Sequence, residues 1–140
     1  MSHIEKTIAA IRDRYVGAVE DVVEFRGETT VVLAADALLS VCQLLRYDAA
    51  LDYKFLADLG AVDYYPHEPR FAVAYIPYSM QHNTRFRIKV FVPSGVPELP
   101  TMTGVWPSAD WPEREAWDLM GIKFAGHPDL RRILMPAEWE

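Results

Sequence analysis

The order in which helical and strand-like hydrophobic periods follow one another predicts an α/β (α+β) fold. Within residues 1–93 they run α-β-β-α-β-β-β, and a proline-rich extended segment then leads to one short C-terminal helix. Elements in that order pack as a two-layer sandwich, one mixed sheet with both helices on one side. Length supports a single domain over residues 1–140, since a chain of this size buries roughly two-thirds of its unfolded surface. Residues 1–93 are read as the α/β core, and residues 94–140 as the extended segment with the helix and turn that follow it.

Ser2 and Glu5 stand at capping-box spacing, and Ile4, Ile8, Ile11 and Tyr15 then recur at steps of three and four before Gly17. That is the first amphipathic helix. Residues 19–26 and 29–33 alternate with period two on either side of Gly27-Glu28, which reads as a hairpin. Asp36 is the expected cap of a second helix whose inner face carries Leu38, Val41, Cys42 and Leu45. Cys42 there is a small buried hydrophobe, because no basic residue shares its face to stabilise a thiolate.

Residues 55–65, 70–78 and 84–92 make three further β-like runs, a meander separated by Pro66-His67-Glu68-Pro69 and Gln81-His82-Asn83. The last run places Phe86, Ile88, Val90 and Val92 on one face and Arg85, Arg87 and Lys89 on the other. Such a row of cations can bind an anionic polymer, but a solvated or subunit-facing strand face gives the same pattern and is the commoner cause. With both helices on one side, the other sheet face stays exposed unless another segment covers it. Residues 93–107, with four prolines and five scattered large apolar residues, are suited to an extended segment laid over a surface and are the expected cover.

Composition excludes more than it assigns. The chain is 51% hydrophobic and 24% charged, a globular balance, and its formal charge of −6 argues against a nucleic-acid footprint. No run approaches the ~18 apolar residues of a membrane helix, and no basic segment leads into an apolar one at the N-terminus, so a cytoplasmic location is expected, with membrane association only through partners. A single cysteine permits neither an intrachain disulfide nor an iron–sulfur cluster held by four thiolates of this chain. Neither a Gly-x-Gly-x-x-Gly turn nor a Gly-x-x-x-x-Gly-Lys-Ser/Thr loop is present to cradle a nucleotide.

The densest run of charge and aromatics begins at Asp110. Asp110 is the expected N-cap of a helix over residues 111–120, with Pro112 in the first turn, Glu113 at capping-box distance and Gly121 as the stop. Glu113, Glu115 and Asp118 crowd this helix with carboxylates, the last two at an i, i+3 spacing that makes them neighbours. Two chemistries fit: an acid/base or divalent-metal site completed by His127, or acids near a helix N-terminus paired with Arg114, Arg131 and Arg132. His127 has no second histidine at ligand spacing, which favours the ion pairs. Arg131 and Arg132 then lead into Ile133, Leu134 and Met135, an apolar cluster at the chain's end suited to a partner surface.

Glu113-Arg114-Glu115, Asp118-Leu119-Met120, His127, Arg131 and Ile133-Leu134, preceded by Pro100-Thr101 and the run from Trp106 to Trp111, together resemble the signature of one family. It is the thirty-kilodalton-type subunit of the proton-pumping NADH:quinone oxidoreductase, respiratory complex I. The resemblance covers essentially the whole chain, most strongly from Pro100 onward. It implies a cofactor-free peripheral-arm subunit that steadies the quinone-site subunit and the iron–sulfur subunits. NADH, FMN, iron–sulfur clusters and quinone would then be bound by those partners, and this chain would sit peripherally on the cytoplasmic side of the cell membrane. It also implies a tail past the position of Glu140, reaching over the neighbouring subunit. Glu113, Arg114, Glu115, Asp118, Leu119, Met120, His127, Arg131, Arg132, Ile133 and Leu134 are the signature and candidate interface residues. An equivalent subunit of a membrane-bound hydrogenase or another quinone-linked dehydrogenase is the near alternative. The alternative from a different class is a stand-alone metal-dependent hydrolase using Glu115, Asp118 and His127.

Overall fold

A computed structural model describes residues 1–128. Helix α1, His3–Arg14, begins as its spacing dictates: the Glu5 N–H donates to Ser2 Oγ at 3.1 Å, and the Ser2 hydroxyl donates back to Glu5 Oε1 at 3.2 Å. Strands β1, Val19–Phe25, and β2, Glu28–Leu33, form the hairpin. Its two-residue turn needs positive φ at both positions, and Arg26 (52°) and Gly27 (79°) supply it.

Helix α2, Leu38–Tyr47, is entered through one turn of 3-10 helix at Ala35–Ala37. The expectation that Asp36 caps this helix fails for that reason. Asp36 lies inside the tighter turn, and Ala37, just before α2, is already helical (φ −97°, ψ −7°), so no side chain there is placed to accept the first amide hydrogens. The inner face is as expected, with Leu38, Val41, Cys42 and Leu45 all buried, and burial pushes the Cys42 thiol pKa far above its usual range.

Strands β3, Phe55–Asp63, and β4, Phe71–Ser79, form a second antiparallel hairpin, followed by the short β5, Thr84–Arg85, and by β6, Arg87–Val92. The sheet order is β1-β2-β6-β4-β3, with β5 on β4. Parallel pairing of β2 with β6 joins the first hairpin to the antiparallel meander, which makes the sheet mixed, as expected. One face packs on the helices: Val31 and Leu33 of β2, Val73 and Tyr75 of β4, and Ile88 and Val90 of β6 share a core with Ile8 and Ile11 of α1 and with the buried face of α2. Burying six such side chains contributes roughly 1.5–3 kcal/mol each.

Residues 93–107 do not cover the opposite face. Leu99, Met102, Val105 and Trp106 join the core on the helix side, where the Trp106 indole donates to the Tyr53 carbonyl at 3.0 Å and the Ser108 hydroxyl to that of Leu56 at 3.3 Å. An indole must bury its ring and satisfy its N–H together, and the chain just before β3 offers both. The segment also carries β7, Glu98–Pro100, which pairs in parallel with β8, Lys123–Ala125. Pro100 is tolerated because this ribbon has only two strands. No helix among the described residues is long and apolar enough to cross a membrane.

Candidate functional site

The signature helix α3, Asp110–Met120, also follows a 3-10 turn, Pro107–Ala109, so Asp110 is its first residue rather than its cap. Ala109 precedes it in a helical conformation (φ −69°, ψ −17°) and no side chain caps the end. Gly121, at φ 72°, stops the helix as expected, its N–H donating to the Trp117 carbonyl at 2.9 Å.

Glu113 departs furthest from its sequence reading. It does not fold back on the helix start but points inward and is fully buried. The Met102 N–H donates to its Oε2 at 2.7 Å and the Thr101 hydroxyl to its Oε1 at 2.5 Å. With its proton given to Glu113, Thr101 Oγ1 accepts from the Thr103 N–H at 3.2 Å, and the Thr103 hydroxyl lies 3.0 Å away. One carboxylate on α3 thus fastens the turn after β7.

His127 closes the cluster from the other side. Its side chain is fully buried, and Nε2 lies 3.1 Å from the Asp110 carbonyl oxygen, 3.0 Å from Asp110 Oδ1 and 3.9 Å from Glu113 Oε1. A ring nitrogen facing three oxygens carries its hydrogen, so Nε2 is the donor. The approach depends on the turn before it: Gly126 is at φ 84°, and a Cβ there would stand 3.4 Å from Thr101 Cγ2. Burial raises the Glu113 pKa above the usual glutamate value, against the Met102 and Thr101 hydrogen bonds, which lower it.

Helical geometry divides the remaining signature residues. Glu113, Ala116 and the partly buried Met120 lie on the inner side at steps of three and four. The outer side carries Trp111 (53% exposed) and Leu119 (65% exposed), with Arg114, Glu115 and Asp118 between them in partial exposure. The Arg114 guanidinium lies 5.3 Å over the Trp111 ring, and its Nε is buried without a hydrogen-bond partner among the described residues. The expected pairing of Arg114 with the acids of its own helix is therefore replaced by stacking. Arg131, Arg132, Ile133 and Leu134 lie outside the described residues.

The arrangement gives no foothold to hydrolysis at Glu115, Asp118 and His127. His127 turns Nε2 to Asp110 and Glu113 instead, and no cluster of three His, Cys, Asp or Glu side chains able to hold a metal occurs among the described residues. The signal for the clasp was present in the sequence: Glu113 occupies the apolar stripe of its own helix, in line with Ala109, Ala116 and Met120. A carboxylate on such a stripe must find donors elsewhere in the fold. Nothing local pointed to Thr101 and Met102 as those donors.

Comparison with known proteins gives this geometry its context. Residues 31–140 match the family model described as respiratory-chain NADH dehydrogenase, 30 Kd subunit. The corresponding NADH-quinone oxidoreductase subunit of Geotalea uraniireducens is 42% identical over 139 residues, covering 99% of this chain and 84% of that protein. Its counterpart in Geobacter sulfurreducens is 41% identical over 140 residues, covering 99% and 85%. Among solved structures, the trypsin-resistant fragment (1-134) of Nqo5 superposes with a TM-score of 0.77 at 34% identity, over 91% of this chain and 99% of the fragment. A chain of an archaeal membrane-bound sulfane sulfur reductase shares the fold at a TM-score of 0.63 and 18% identity, over 97% of this chain and 75% of that one. The chain belongs to the family of the 30 Kd subunit of the respiratory-chain NADH dehydrogenase.

Proposed function

We propose that this chain is a cofactor-free peripheral-arm subunit of the proton-translocating NADH:quinone oxidoreductase, where it holds the quinone-site subunit and the iron–sulfur subunits together. NADH, FMN, iron–sulfur clusters and quinone are bound by those partners, and the chain sits on the cytoplasmic side of the membrane, attached through them. The carrying observation is the division of α3. Its carboxylate with the most unusual surroundings, Glu113, is sealed in a structural clasp away from any substrate, while Trp111 and Leu119 are held outward on the opposite side. A tryptophan stacked by an arginine on a rigid helix is the composition that interface hot spots favour.

Trp111→Asp tests this. In complexes purified from solubilised membranes, the variant should retain at least tenfold less of the quinone-site subunit than wild type, the loss of one hot spot of about 2 kcal/mol. Because Trp111 is half exposed, the isolated variant should melt close to the wild-type temperature. Undiminished recovery of the quinone-site subunit would remove α3 from the interface.

A further inference from the structure

The first turn of α1 meets the turn between β4 and β5, residues 80–83, through two histidines. The His3 and His82 rings stack with their centroids 3.7 Å apart and their planes 15° from parallel, and His3 also stacks on the Tyr53 ring at 5.4 Å. His3 Nε2 lies 2.9 Å from the Leu51 carbonyl oxygen. A carbonyl can only accept, so Nε2 carries a hydrogen and Nδ1 is the atom that takes up a further proton.

The two sides of this contact are fixed unequally. Helix α1 is also tied to the segment before β3 through Thr7, whose hydroxyl donates to the His3 carbonyl at 2.8 Å and accepts from the Tyr53 hydroxyl at 2.9 Å; Thr7 and Tyr53 are both fully buried. The turn opposite closes on its own strands. The His82 N–H donates to Ser79 Oγ at 3.3 Å, the Asn83 N–H to the Met80 carbonyl at 3.2 Å, and the Thr84 hydroxyl to the His82 carbonyl at 2.8 Å. None of these bonds reaches α1, and residues 80–83 are all exposed. Burial, and then the charges of His82 and of Lys6 one turn along α1, hold the His3 pKa below the usual histidine value. The Leu51 carbonyl and Asp52 act the other way, and the Asp52 carboxylate lies 3.5 Å from Lys54 Nζ.

We propose that His3 and His82 form an acid-sensitive latch, in which neutral rings hold the β4–β5 turn against α1 and protonation of both drives the turn away. Two imidazolium rings stacked at 3.7 Å would set like charges in contact. The exposed His82 can leave for water, while His3 stays on the Leu51 carbonyl, whose bond its Nε2 hydrogen makes in either charge state. A shared metal ion suits the pair poorly. Ring lone pairs lie in the ring planes, and planes 15° apart send them side by side rather than to one point. Because the folded pKa of His3 is lowered, the latch contributes fully above the ordinary histidine value of about 6.5 and is lost as pH falls toward the lowered one. It needs no partner subunit, since every group in it belongs to this chain.

The test is an NMR titration of the full chain that follows the His3 ring and its nuclear Overhauser contacts with the His82 ring. In wild type these contacts should be present at about pH 8, above the ordinary histidine value, and should vanish over the same step in which His3 takes up its proton. His82→Phe keeps a ring to stack on and removes the charge, so His3 should titrate at higher pH and the ring contact should persist after it is protonated. His82→Gln removes ring and charge together, and should likewise raise the pH at which His3 titrates. Both variants change an exposed side chain, so neither should disturb the fold. A ring contact in wild type that survives protonation of His3, a contact in His82→Phe that is lost as in wild type, or a His3 titration that neither variant moves would each overturn the proposal.

Discussion

Two regions of this molecule fasten a turn with carboxylates, and they do so under opposite conditions. At the Glu113 clasp the carboxylate is fully buried, holds the Met102 N–H at 2.7 Å and, among the described residues, has the His127 ring at 3.9 Å and no Lys or Arg in ion-pair contact. At the turn between β3 and β4, Arg70 donates twice to Asp63 at 2.8 Å, while Glu68 accepts from the Ser94 N–H at 2.8 Å and the Ser94 hydroxyl at 2.6 Å, all exposed. By number of bonds the exposed knot is the better fastened. Energetically the order reverses, because water replaces a broken exposed bond, whereas a broken buried one leaves polar groups with nothing to bind.

The largest effect should therefore come from Glu113→Ala, which leaves the buried Met102 N–H and the half-buried Thr101 hydroxyl without their acceptor. A loss of about 2–4 kcal/mol in urea unfolding is expected. A cost within the range of surface substitutions would mean that the turn relaxes to water.

The two regions should also respond to pH with opposite signs. Burial raises the Glu113 pKa, so the folded chain keeps this proton to higher pH than the unfolded one. The resulting stability is complete below the ordinary glutamate value of about 4.3 and declines as pH rises through the raised one. Arg70 and the Tyr65 N–H beside Asp63 hold its carboxyl down to about 2. That contribution is present above the ordinary aspartate value of about 3.9 and disappears as pH falls toward the lowered one. Melting temperature against pH should separate them: Glu113→Gln flattens the decline on the rising side, and Arg70→Ala flattens the loss on the acid side. If either variant altered the other's side of the profile, the assignment would be wrong. The smallest effect is expected from Arg70→Ala at neutral pH, where an exposed pair contributes little and the melting point should move least of all these changes.

Local rules read well where the structure obeys them locally. Ser2 and Glu5 close their capping box, the expected hairpin forms with its turn at Arg26-Gly27, one residue before the expected Gly27-Glu28, and the four-residue inner face of α2 is buried as its spacing demands. The same rules failed at Asp36 and Asp110, because both helices are entered through 3-10 turns that take away the extended conformation a cap requires. Long-range choices were the least legible. That the segment 93–107 packs on the helix side follows from where the Tyr53 carbonyl waits for an indole, which no periodicity encodes. The strands β7 and β8 are three residues each, and β7 ends on a proline, so they are too short to register as alternation. At the signature helix the mixture of acids and arginines was visible, but which carboxylate turned inward depended on Thr101 and Met102, twelve and eleven residues upstream.

Amide hydrogen exchange at Met102 and Ser94 compares the two regions most directly, since each N–H donates to a glutamate carboxylate at nearly the same distance, 2.7 and 2.8 Å. In the full chain the Met102 amide should exchange at least about a hundredfold more slowly than that of Ser94, and Glu113→Ala should abolish the difference. Equal exchange at the two amides in the wild-type chain would contradict the claim that Glu113 is a buried structural lock.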